Sequence, residues 1–144
     1  MDMLNQATEI NATLTTVVWL GAWWAVLLAP LAVMRVITSN RRGKVYFDPN
    51  GKDLEGFAAR LTRASCNNYE NLPLFMGILL AAQLLGLSEI TNATACWLLY
   101  ARIGQSLAHL ISGSKNWVLV RFAFYIVQYV LVASWVVQLL MAIN

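Results

Sequence analysis

Nine polar residues stand in otherwise apolar stretches at helical spacing. Arg63, Asn67 and Glu70 occupy i, i+4 and i+7; Arg102, Gln105 and His109 occupy i, i+3 and i+7; Arg121, Tyr125 and Gln128 occupy i, i+4 and i+7. On helices each trio shares one face. Three arginines against one carboxylate leave an excess of positive charge that Glu70 alone does not neutralise. With His109, Asn67 and Tyr125 supplying further polar groups, the expected chemistry is capture of a small anionic molecule. No metal site is expected, because the chain has one histidine and no carboxylate at ligand spacing around it. Glu70 and Arg102 are expected to form a structural ion pair, since a lone charge inside a membrane is costly and the two have opposite signs.

The elements that must position these residues follow from composition. Of 144 residues, 59% are hydrophobic and only 12% charged, with mean hydropathy +0.59. Soluble domains carry about a quarter charged residues, so an integral membrane protein is expected. At roughly 20 apolar residues per crossing, the length suits four helices and no separate soluble domain. They are expected at about 11–36, 54–85, 90–111 and 117–142, within a single domain spanning 1–144. Pro30 falls near the far end of the first and Pro73 in the middle of the second. Asp48-Pro49-Asn50-Gly51 has turn chemistry. Short connections favour antiparallel neighbours, hence an up-down four-helix bundle.

Charge distribution sets the expected topology. Arg35, Arg41, Arg42, Lys44 and Lys52 lie in or beside the first connection, and Lys115 in the third. The positive-inside rule puts both connections in the cytoplasm and both termini outside. The amino-terminal tail is acidic (Asp2, Glu9), and no signal peptide is expected. Asn11-Ala12-Thr13 and Asn92-Ala93-Thr94 match the glycosylation pattern on the outer side, where chance is the better explanation. Cys66 and Cys96 are expected to be free thiols at different depths.

Arg63-x3-Asn67-x2-Glu70-x2-Pro73, followed by Leu74-Phe75, resembles the second-helix motif of the MAPEG family, the membrane-associated proteins of eicosanoid and glutathione metabolism. Arg102 in Tyr100-Ala101-Arg102-Ile103 and the spacing Arg121-x3-Tyr125 resemble that family's third and fourth helices, and the likeness extends over essentially the whole chain. The resemblance implies a homotrimer that binds glutathione as co-substrate between protomers near the cytoplasmic face. A lipophilic second substrate would enter from the bilayer, among the membrane lipids; no nucleic-acid partner is implied. Arg63, Asn67 and Glu70 would line the glutathione pocket, Glu70 also holding Arg102. Arg121 would face the sulfur with Tyr125 beside it, and Arg41 or Arg42 would hold a carboxylate; His109 is placed in the anion pocket by its own position on the third helix's polar face.

Such an arginine suits thiol chemistry. A free thiol ionises near pH 8.5, so only about a tenth is thiolate at pH 7.5, and a fall of about two pKa units needs roughly 2.7 kcal/mol. A fixed guanidinium supplies this by field and hydrogen bond, without a general base. The implied activity is a membrane-bound glutathione transferase or glutathione-dependent peroxidase. The alternative is a non-catalytic lipid- or partner-binding member. The protein would be multi-pass, with its site facing the cytoplasm, in a bacterial inner membrane or the endoplasmic reticulum of a eukaryote. Gln105 and His109 depart from the residues usual in the family, and the connection ISGSKNWVLV before Arg121 is a few residues longer. His109 as a proton shuttle competes with a packing or loop-capping role.

Overall fold

The computed structural model describes residues 10–43, 48 and 51–144. The acidic tail (Asp2, Glu9), Lys44 and Pro49-Asn50 lie outside them. Among the described residues every regular element is a helix: α1 (Ala12–Arg42), α2 (Gly56–Leu84), α3 (Glu89–Asn92), α4 (Ala95–Ile111) and α5 (Lys115–Ile143).

Local chemistry explains the ends. Asn11 is the N-cap of α1, its Oδ1 accepting from the Leu14 N–H at 3.1 Å, which satisfies one of the helix's orphan donors. At the other end Gly43 takes φ 62°, the left-handed conformation that stops helices. The polar run Thr38-Ser39-Asn40-Arg41-Arg42 is therefore helical, and α1 extends six residues beyond the expected Val36. Polarity marks where a helix leaves an apolar environment; the glycine marks where the helix ends. In the first connection the Gly51 N–H returns to Asp48 O at 3.0 Å, closing the expected turn. Pro30 and Pro73 both lie inside continuous helices. The third helix differs from expectation, because a break at Ala93-Thr94 separates the single turn α3 from α4.

α4 is the central helix, packing against α5, α2 and α1, while α1 packs broadly along α2. One apolar cluster joins Leu20, Leu72, Phe75, Leu79, Leu98 and Trp135 from four helices; a second joins Leu27, Leu31 and Leu61. Outward faces are also apolar: Val18, Trp19 and Val33 on α1, and Phe122, Tyr129 and Leu140 on α5, are exposed. α1 and α5 are long and apolar enough to cross a bilayer, each with mean hydropathy 2.0 over its best window.

At the end of the bundle holding Asn11, polar side chains tie α1 to the α2–α4 connection. Thr13, with no exposed surface, places its Oγ1 2.7 Å from both Thr91 Oγ1 and Asn92 Oδ1. The Thr13 N–H also donates to Asn92 Oδ1 at 3.0 Å, and Asn11 Nδ2 donates to Gln83 Oε1 at 2.8 Å. Trp135 on α5 joins through Nε1, which donates to Thr94 Oγ1 at 3.0 Å. Both asparagines of the glycosylation pattern are thus occupied by the fold.

Candidate functional site

Midway along α4, Arg102 is the most deeply buried charge among the described residues, with no exposed surface. Its Nη1 donates to Asn67 Oδ1 at 2.6 Å and to Gln105 Oε1 at 3.1 Å, and its guanidinium carbon lies 4.9 Å from the centre of the Phe75 ring. Nε and Nη2 find no hydrogen-bond partner among the described residues. Gln128, also fully buried, donates from Nε2 to Gln105 Oε1 at 3.1 Å and to its own helix at Phe124 O. The glutamine acceptor is therefore shared between a cation on α4 and an amide on α5.

The expected Glu70–Arg102 ion pair does not form within the protomer. Asn67 takes the guanidinium instead, while Glu70 is exposed on the surface. The reason is geometric. Glu70 is three residues beyond Asn67, which turns it about 60° away from the Arg102 side at 3.6 residues per turn.

Four further groups gather where α4 ends. Arg121 Nη1 lies 2.9 Å from His109 Nδ1, its Nε donates to Trp117 O at 3.1 Å, and its Nη2 reaches toward Ser112 O at 3.4 Å. Arg60, a residue the sequence patterns did not single out, donates from Nε to Leu110 O at 2.8 Å. Both arginines thus meet the last carbonyls of α4, where unpaired acceptors and the helix dipole favour cations. Among the described residues, neither His109 nor Arg121 is bonded to a carboxylate.

Arg63 is exposed, and with Lys52 it lines a cleft of about 290 Å³ closed by Gly51 and Ala59. Tyr125, one turn beyond Arg121 on α5, is 36% exposed, with its ring stacked between Phe122 and Tyr129 at 6.5 and 6.2 Å. It opens an apolar groove of about 370 Å³ between α2 and α5, whose lining includes Asn71, Leu74, Tyr129 and Val136. Arg41 and Arg42 are exposed in the last turn of α1. Neither Cys66 nor Cys96 is in a disulfide, and no cluster of three potential metal ligands occurs among the described residues.

Spacing found the three polar faces but missed Asn68. This residue is fully buried and donates from Nδ2 to Ser106 Oγ at 3.1 Å, whose hydroxyl in turn donates to Arg102 O at 2.9 Å. The available signal was the pair Arg102 and Ser106 at i, i+4, which gives α4 a second polar group on the side facing α2.

The arrangement can do three things chemically: attract an anion to a cationic corner, offer fixed guanidinium donors, and hold an apolar molecule one helical turn away. Comparison with known proteins narrows this. No curated relative and no solved structure matched the chain. A family model did match, that of the MAPEG family, over residues 13–141. The match covers all but the outermost residues of the two helices long enough to cross a bilayer, together with the polar faces of α2, α4 and α5, and the chain belongs to the MAPEG family.

Proposed function

We propose that this protein is a membrane-bound glutathione transferase or glutathione-dependent peroxidase, with Arg121 stabilising the glutathione thiolate. The observation that carries this reading is the Arg121 guanidinium, fixed by His109 Nδ1 at 2.9 Å and by Trp117 O at 3.1 Å, with Arg63 exposed on α2 and neither arginine bonded to a carboxylate among the described residues. An uncompensated cationic corner favours an anionic ligand, and a thiol beside a guanidinium ionises more readily. The groove beginning at Tyr125 supports a lipophilic electrophile or hydroperoxide beside the sulfur.

In this reading α1, α2, α4 and α5 all cross the bilayer, with both termini outside and the cationic corner facing the cytoplasm. At 1.5 Å per residue, the 17 residues of α4 span about 25 Å, and α3 extends that path toward the outer side. The protomer assembles as a homotrimer. Exposed Arg63, Glu70 and Arg41 or Arg42 then meet glutathione at the boundary between subunits, the arginines binding its carboxylates and Glu70 its amino group. The thiolate attacks an electrophilic carbon in the transferase reaction. In the peroxidase reaction it reduces a lipid hydroperoxide, with a second glutathione completing the disulfide.

The test is turnover of a generic electrophile with glutathione by wild type and Arg121→Ala. Loss of about two units of thiol activation returns the thiolate from about nine-tenths to about a tenth at pH 7.5, a fall of about tenfold in the variant that grows toward 100-fold only well below pH 6.5. A folded oligomer without glutathione-dependent turnover would sink the catalytic reading. A second reading, a non-catalytic lipid-binding member, is favoured by one observation: Asn67 Oδ1 is already engaged by Arg102. That protein would bind lipophiles in the α2–α5 groove without glutathione.

A further inference from the structure

We infer that His109 is a positioning residue for Arg121: its Nδ1, 2.9 Å from Arg121 Nη1, fixes the guanidinium in one pose and does not itself bind or deprotonate the thiol. This rests on the proposed role of Arg121.

The chemistry of the contact leaves one assignment. A guanidinium only donates, so Nδ1 must accept, and the imidazole is neutral with its proton on Nε2. The Nδ1 lone pair is then committed and Nε2 carries hydrogen, so the ring has no free lone pair with which to take a proton. The thiol proton instead leaves to solvent.

The remaining contacts of Arg121 show why the histidine matters. Nε is tied to Trp117 O, a carbonyl one turn back on its own helix, which holds the root of the group. Nη2 reaches Ser112 O at a longer 3.4 Å. Among the described residues His109 is the one side chain bonded to the guanidinium, and it reaches across the α4–α5 connection to do so. Of five N–H groups, three are used, leaving one on Nη1 and one on Nη2 as a pair directed at an anion. The charged groups near the ring are Arg121 on α5, Arg63 on α2 and Arg102 on α4. None can replace the acceptor that His109 offers.

Because the chain contains one histidine, its ring nitrogens can be read without ambiguity. In nitrogen-15 NMR of histidine-labelled protein in lipid, the expected spectrum is the Nε2–H tautomer with an unprotonated, hydrogen-bonded Nδ1. A Nδ1–H or doubly protonated ring would overturn the inference without any mutation. The functional arm uses His109→Phe, which keeps a ring but removes the acceptor, and His109→Gln, which restores one. Thiolate formation by bound glutathione is followed through its ultraviolet absorbance across pH. His109→Phe should raise the apparent pKa of the bound thiol by about one unit, a tenfold loss of thiolate below it, with little change in glutathione affinity. His109→Gln should recover most of that loss. A wild-type thiolate signal that survives His109→Phe would overturn the positioning role alone. So would a variant that loses glutathione affinity but keeps its thiolate fraction. Absence of thiolate in the wild type would overturn the catalytic reading together with it.

Discussion

The arrangement around Arg102 makes a prediction that separates two accounts of a buried charge. In the structure Glu70 and Arg102 do not touch, and the guanidinium relies on Asn67 and Gln105. Consider Arg102→Met and Glu70→Gln, singly and together. Arg102→Met forfeits two charge-assisted hydrogen bonds, each worth about 1.5–3 kcal/mol, but also removes two buried nitrogens that lack partners, each costing about 1–3 kcal/mol. The two effects oppose, so the net change should stay below about 2 kcal/mol in either direction. Asn67 is only half-buried and can recover a bond to water, and Gln105 Oε1 keeps its Gln128 donor. Glu70 is exposed, so neutralising it should have little effect. The coupling in the cycle should fall within ordinary additivity error, below about 0.5 kcal/mol. A buried ion pair behaves differently: breaking it from one side costs about 3–5 kcal/mol. The assay is chemical unfolding in mixed micelles, with midpoints converted to free energies for all four proteins. A coupling above about 1.5 kcal/mol would refute the reasoning and reinstate the ion pair.

Two further substitutions probe the frame. Gly104 lies under Phe124, where an added Cβ would come within 2.6 Å of the ring. Gly104→Ala should therefore destabilise the α4–α5 contact by about 1–3 kcal/mol, and Phe124→Leu in the same chain should recover part of that loss in the thermal midpoint. Thr13→Val keeps the shape of a fully buried side chain but removes its hydroxyl from Thr91 and Asn92. It should cost about 1–2 kcal/mol, because Asn92 Oδ1 retains the Thr13 N–H and Thr91 Oγ1 retains Ser88 O.

The sequence made the helices and their polar faces legible because apolar runs and i, i+4, i+7 spacing are local properties. Tyr125, one turn beyond Arg121, lines an apolar groove, and Arg102 Nη1 donates to Gln105 Oε1. What spacing did not reveal is the rotation of each helix about its axis. Arg63, Asn67 and Glu70 share a face by count, yet Asn67 turns toward the core while Arg63 and Glu70 remain exposed. That rotation is set by packing: Leu72, Phe75 and Leu79 must face inward, and a charged residue takes whatever azimuth they leave. Asn68 was hidden for the same reason, standing next to a more familiar motif residue. The end of α1 was a different matter. Gly43 was a readable stop signal, but the polarity of residues 38–42 drew the boundary short.

Arg121 is secured partly from beyond its own helix, by His109 on the far side of a three-residue connection and by Ser112 within it. The length of that connection is therefore a dimension of the site, as much as any side chain lining it. Descendants that gain or lose one residue between 112 and 114 would rotate the cation relative to its ligand while every functional residue stayed the same. Divergence in such a lineage can proceed through spacer length, invisible to a comparison that scores identities alone.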